Sequence, residues 1–119
     1  MFGVTGYNTG TYYKQENMEE WREFEAIYNE IVESYCYSPF FSKFPWIITE
    51  FASSSIGGNK VKWIKNMFAV LHKYPLIKIA VWFSYADYDT RSDKKDVVSR
   101  PYWLDETPQT LEAFGKGVW

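Results

Sequence analysis

The chain has one cysteine, Cys36, and one histidine, His72, in 119 residues. A single thiol excludes an intrachain disulfide, and the two side chains together supply too few ligands for a Cys/His zinc centre. Charge of one sign is equally scarce. With 13 Lys and Arg against 15 Asp and Glu the formal net charge is −2, which offers no global attraction for a polyanion, so nucleic acid is not an expected partner. The longest apolar runs, such as Ile79 to Phe83, fall far short of the roughly 20 residues that a membrane-spanning helix needs. No membrane association is expected, and Met1-Phe2-Gly3-Val4 shows no basic and apolar leader of the kind a signal peptide carries.

Aromatic residues, in contrast, are abundant: 6 Trp, 10 Tyr and 9 Phe, spread along the whole chain. With 46% hydrophobic and 24% charged residues, the composition is that of one globular domain with a packed core. Rings with flat apolar faces and polar edges suit a core, a protein interface or the CH-rich face of a sugar.

Local patterns predict an alternation of strands and helices. Phe2 to Tyr7 is rich in strand formers and runs into the turn-like Asn8-Thr9-Gly10. From Asn17 onward Trp21, Phe24, Ile27, Tyr28, Ile31, Val32 and Tyr35 recur at helical spacing, with Asn17 and Glu20 placed as a capping box. Glu16, Glu19, Glu20, Glu23, Glu30 and Glu33 then read as the solvated face of that helix. Trp46-Ile47-Ile48-Thr49 is continuously apolar, as in a strand covered on both faces, and it ends on Glu50. Asn59 caps a second helix carrying Val61, Ile64, Phe68 and Leu71, which Pro75 stops. Ile77 to Phe83 is a third strand, followed by a long polar loop, and a last helix opens at Thr107-Pro108 with Leu111 and Phe114 facing inward. Strands separated by crossover helices imply an α/β fold with a parallel sheet and right-handed connections.

Chemistry in such folds sits where the strands end. Tyr7, Glu50 and Trp82 each lie at or near the C-terminal end of one expected strand and should face the same side. A carboxylate following an apolar strand is costly to bury unless it is paired. Pattern alone leaves open whether Glu50 caps the strand end and reaches solvent or performs catalysis. Other motifs are weaker. Asp87, Asp89 and Asp93 begin with calcium-loop spacing, but Ser92 stands where the turn needs glycine and Val98 where it needs glutamate, so the segment reads as a solvated loop near the substrate face. Gly57-Gly58-Asn59-Lys60 lacks the spacing of a phosphate-binding loop. His72, late in a helix, suits the helix dipole. No metal or cofactor is expected.

The residues resemble glycoside hydrolase family 26, the β-mannanases and their relatives, which are (β/α)8 TIM barrels. The likeness rests on Gly3-Val4-Thr5-Gly6-Tyr7-Asn8, on Pro45-Trp46-Ile47-Ile48-Thr49-Glu50-Phe51-Ala52-Ser53-Ser54, on Gly57-Gly58-Asn59-Lys60 leading to Trp63-Ile64, and on Val81-Trp82-Phe83. It implies that Glu50, ending the seventh strand of such a barrel, is the nucleophile of a retaining enzyme. It also implies that Tyr7 orients that carboxylate and that Trp82 forms a substrate-binding platform under the sugar. The implied substrate is β-1,4-mannan or a related β-glycan, with mixed-linkage β-glucan nearest to it.

A complete barrel takes about 250 residues. Residues 1–119 are therefore expected to form its C-terminal portion, about three βα units with parallel strands, and the acid/base glutamate of the resembling enzymes has no counterpart in them. The chain alone is then expected to be inactive, although its parent enzyme would be secreted. Open sheet edges would favour self-association. A non-catalytic remnant binding glycan or protein through exposed aromatics such as Tyr12, Tyr13, Tyr85 and Tyr88 is the alternative.

Overall fold

A computed structural model describes residues 2–118. Strands β1 (Phe2–Asn8), β2 (Trp46–Ser53) and β3 (Ile77–Trp82) form one parallel sheet in the order β1-β2-β3. A one-turn helix α1 (Lys14–Asn17) and the longer α2 (Phe24–Tyr35) connect β1 to β2. Helix α3 (Lys60–Val70), extended by a 3-10 turn at Leu71–Lys73, connects β2 to β3. After β3 come a small antiparallel pair, β4 (Ala86–Tyr88) and β5 (Val98–Pro101), and finally α4 (Pro108–Val118). This is an α/β architecture consistent with successive βα units.

The core lies between one face of the sheet and α2 and α3. Phe24, Tyr28, Trp46, Ile48, Phe51, Trp63, Ile64 and Met67 are all buried there. Their rings meet edge-on or stacked: Phe24 stacks on Tyr28 at 4.3 Å and takes the edges of Phe51 and Trp63 at 6.2 and 6.0 Å. Such pairs add directional attraction to the burial of apolar area. Gly6 lets α2 come close to β1, since a Cβ there would stand 2.8 Å from Ile27 Cγ2 and 3.2 Å from the Tyr28 hydroxyl.

Several expected boundaries move, each for a local reason. The capping box does not form: Asn17 ends α1, Met18 adopts a left-handed backbone with φ 54°, and α2 starts at Phe24 with Glu23 as its N-cap. Residues between them are instead tied to the strand end, the Arg22 amide donating to Asn8 Oδ1 at 2.8 Å and the Trp63 indole to Arg22 O at 2.8 Å. Strand β2 continues past Glu50 to Ser53. The polar loop after β3 holds the β4–β5 pair. In α4 the inward residues are Thr110, Ala113 and Phe114, whereas Leu111 is exposed. The Asn59 and Thr107 starts stand as expected: Asn59 Oδ1 accepts the Lys62 amide at 2.9 Å and Thr107 Oγ1 accepts the Thr110 amide at 3.1 Å.

Candidate active site

Strict alternation along β2 would point Glu50 toward the helices, because Trp46 and Ile48 face the core. The pairing with β1 prevents this. Val4 lies opposite Ile48 but Thr5 lies opposite Glu50, leaving Thr49 as the extra residue of a β-bulge. Beyond the bulge Phe51 returns to the core side, and Thr49 and Glu50 are both exposed on the face away from the helices. The Thr49 hydroxyl holds the bulge in place, bonding Val4 O at 3.1 Å and the Thr5 hydroxyl at 2.9 Å.

On that face Tyr7 donates its phenolic O–H to Glu50 Oε2 at 2.5 Å. Burial pushes the Tyr7 phenol well above the usual tyrosine range, and the hydrogen bond to Glu50 adds to the shift. Tyr7 therefore keeps its proton and remains the donor in this bond through neutral pH. Its ring is clamped by Tyr102, tilted at 5.1 Å, and by Phe83, edge-on at 6.0 Å. Tyr102 is itself buried, which raises its phenol likewise.

Trp82 does not join this cluster. It lies opposite Phe51 across the sheet and shares the helix-facing side, packed against Phe51, Trp63 and Phe114 at 5.2, 6.1 and 5.6 Å. Its neighbour Phe83, just past the end of β3, lies on the Tyr7 side instead, because successive residues of an extended chain point to opposite faces. Trp82 supports the cluster from behind, its indole N–H donating to Tyr102 O at 2.8 Å.

The loops above the strand ends are cross-linked. Asn8, buried at the end of β1, donates to Ser53 Oγ at 2.9 Å. Lys60, expected only to open a helix, is buried, and its ammonium donates to Pro101 O, Trp103 O and Glu106 at 3.1, 2.7 and 2.9 Å. Burial lowers its pKa while Glu106 opposes the shift. Glu19 is no solvated face residue: its nearly buried carboxylate pairs with Arg100, which also reaches Asp87 at 3.1 Å. Glu19 thus sits at the strand-end side of the sheet, in the loop after β1, rather than on an outer helix. Asp89, read from the sequence as part of a solvated loop, is buried and gripped by Arg91 and by Tyr12, whose phenol donates to it at 2.8 Å. The Arg91 hydrogen bonds hold the Asp89 carboxyl well below the usual carboxylate range. Among the described residues no group of three His, Cys, Asp or Glu side chains is arranged to hold a metal ion.

Thr49, Thr5, Phe83 and Tyr102, which surround the Tyr7–Glu50 pair, were not singled out from the sequence as candidate site residues. Only Phe83 had a usable signal, namely strand parity from Trp82.

No protein-family profile matches the chain. It is, however, 35% identical over 116 residues to endoglucanase H of Acetivibrio thermocellus, a match covering 97% of this chain. That supports a glycoside hydrolase relationship. The chain spans 11% of the length of that relative.

Proposed function

We propose that the chain carries the nucleophile half of the active site of a retaining endo-β-glycan hydrolase of the family 26 kind. The observation that carries this reading is the Tyr7–Glu50 pair, presented on the open face of the sheet by the Thr49 bulge. Glu50 attacks the anomeric carbon as the glycosidic C–O bond breaks, forming a glycosyl ester that water later hydrolyses. Tyr7 holds the attacking carboxylate in one orientation, and a residue outside this chain supplies the leaving-group proton from about 5–5.5 Å away. Phe83 is the ring placed to meet the sugar, with the exposed Tyr85 beside it at 6.4 Å. The motif resemblance points to β-1,4-mannan. A β-glucan is the second reading, favoured by the likeness to an endoglucanase.

The test isolates the nucleophile from the missing acid. A 2-deoxy-2-fluoro glycosyl donor with a dinitrophenolate leaving group departs without protonation, so Glu50 alone suffices to trap it. The manno and gluco reagents are compared on the same sample by peptide mass spectrometry. The expected result is one sugar on the peptide containing Glu50, absent from Glu50→Gln, with the faster reagent naming the glycan. A folded chain that stays unlabelled by both reagents overturns the assignment.

A further inference from the structure

At the end of the sheet opposite Glu50, where β2 and β3 begin, an apolar groove runs between α2 and the turn before β3. It has a volume of about 280 Å³ and is lined by Val32, Cys36, Phe41, Trp46, Tyr74 and Leu76 among others. The segment 36–45 beside it holds large rings in solvent: Tyr37 is 92% exposed, Phe40 60% and Phe44 48%, with Tyr35 at 54% just before them. The groove is walled by α2, the start of β2 and the turn before β3, so it is distinct from the outer edges of the sheet at β1 and β3. We infer that this end of the molecule is a self-docking surface, on which two copies of the chain pair about a two-fold axis and each seats Phe40 and Phe44 in the groove of the other.

The groove suits a ring and little else. An apolar cavity of about 150 Å³ already holds benzene. The polar groups along its wall have partners, the Tyr74 hydroxyl donating to Asn29 Oδ1 at 2.7 Å and Lys73 pairing with Glu25, so a polar ligand would find few unmet bonds there. The rings offered beside it are preorganised. One helical turn, in which the amides of Lys43 and Phe44 donate to Phe40 O at 3.2 and 3.0 Å, stacks Phe40 on Phe44 with centroids 6.1 Å apart. Side chains held in place before docking lose less entropy on docking. Phenylalanine also lacks the polar edge that Tyr and Trp keep toward water, which fits insertion into a dry protein groove.

Three features point to a second copy as the occupant. Ser42, between the two rings in the chain, lines the groove, so knob and hole lie side by side. A two-fold contact requires this, because one patch must meet itself. Exposed residues of opposite charge, Glu33 and Lys43, flank the patch on its two sides, so the same axis sets acid against base at the rim. Area agrees as well. At roughly 200 Å² for each aromatic side chain, the exposed parts of Tyr35, Tyr37, Phe40 and Phe44 offer on the order of 500 Å² per copy. The groove walls and Pro39 bring this toward the roughly 800 Å² per partner of a standard interface. Pairing at this end leaves the face of Glu50 open.

The test is sedimentation velocity over a concentration series of the full chain carrying Val81→Lys, which disables the β3 edge. Reducing buffer keeps the exposed thiol of Cys36 from linking copies covalently. The expected result is a reversible association that stops at two chains. Adding Phe40→Ser with Phe44→Ser should weaken it about thirtyfold, the effect of losing a hot spot. Ser42→Arg, which blocks the groove mouth and keeps the rings, should do the same. All three positions are exposed, so circular dichroism should match that of the parent. Mixed in equal amounts, the ringless and the blocked variants should associate more tightly than either alone, because one intact ring-in-groove contact returns. A monomer at every concentration overturns the proposal, as does a dimer that neither variant weakens or growth past two chains. A monomer whose Val32, Tyr74 and Leu76 NMR signals move on adding indole overturns it too and gives the groove to a small apolar ligand.

Discussion

Tyr7 and Thr49 do different work for the same carboxylate. Tyr7 contributes a hydrogen bond to Glu50, whereas Thr49 decides which side of the sheet Glu50 is on. In Tyr7→Phe the fold should persist, because the ring contacts with Phe83 and Tyr102 remain, and labelling of Glu50 by the activated donor should slow by about tenfold to a hundredfold, the scale of one lost charge-assisted bond. Deleting Thr49 is expected to be harsher. It removes the bulge, so the strand must either turn Glu50 toward the helices or slip its register. An unpaired carboxylate in the core costs several kcal/mol by order of magnitude. Loss of Glu50 labelling together with a lowered denaturation midpoint is the expected outcome, and a deletion variant labelled like the parent chain would refute the role given to the bulge.

At the scale of elements, Lys60 is the staple that holds the loop after β5 onto the start of α3. Its ammonium is nearly inaccessible and satisfies two backbone carbonyls and Glu106, while Ser55 donates to the other Glu106 oxygen at 2.6 Å. Lys60→Ala leaves those acceptors unpaired, and we expect it to cost about 3 kcal/mol in chemical denaturation, at the low end for breaking a buried pair because Glu106 keeps some solvent. Asn59→Ala, one residue earlier, removes only an N-cap bond and is expected to cost about 1 kcal/mol. The order of the two variants is the discriminating result: similar losses would mean that Lys60 acts merely as a helix-opening residue.

For the whole molecule, two properties follow, one from its buried phenols and one from the edge of its sheet. Burial raises the phenols of Tyr7, Tyr28 and Tyr102 above the usual range. A raised folded-state pKa means that the unfolded chain loses its protons first. The stabilisation is complete below about pH 10 and is lost as pH climbs from there toward the folded-state values. Denaturation midpoints that fall steeply above about pH 10, with the buried phenols' share of the tyrosinate absorbance rising only as the fold opens, are the expected observations. The second property is the outer edge of β3, which pairs with no strand among the described residues, beside exposed Ile79 and Val81. Such an edge recruits other strands, so light scattering should show concentration-dependent self-association that Val81→Lys weakens. A chain that remains monomeric across that range would count against it.

Order and type of the main elements were determined by the sequence alone, because they depend on spacing and punctuation: the apolar period around Phe24 and Ile27, the Asn59 cap, Pro75, and Thr107-Pro108. That Tyr7 and Glu50 come together was legible too, from their places near the C-terminal ends of two strands that the pattern makes neighbours. What tertiary structure decided was direction. Alternation along an isolated strand cannot reveal an extra residue, which exists only in the pairing of β1 with β2, so Thr49 was invisible and Trp82 was assigned to the face that Phe83 occupies. Nor could composition separate a solvated acid from a paired one. Glu19 is buried in an ion pair because the loop after β1 and the β4–β5 pair, about 80 residues apart in the chain, fold against each other, and that contact supplies Arg100 to Glu19 and Tyr12 to Asp89, whereas Arg91 reaches Asp89 from two residues along the chain.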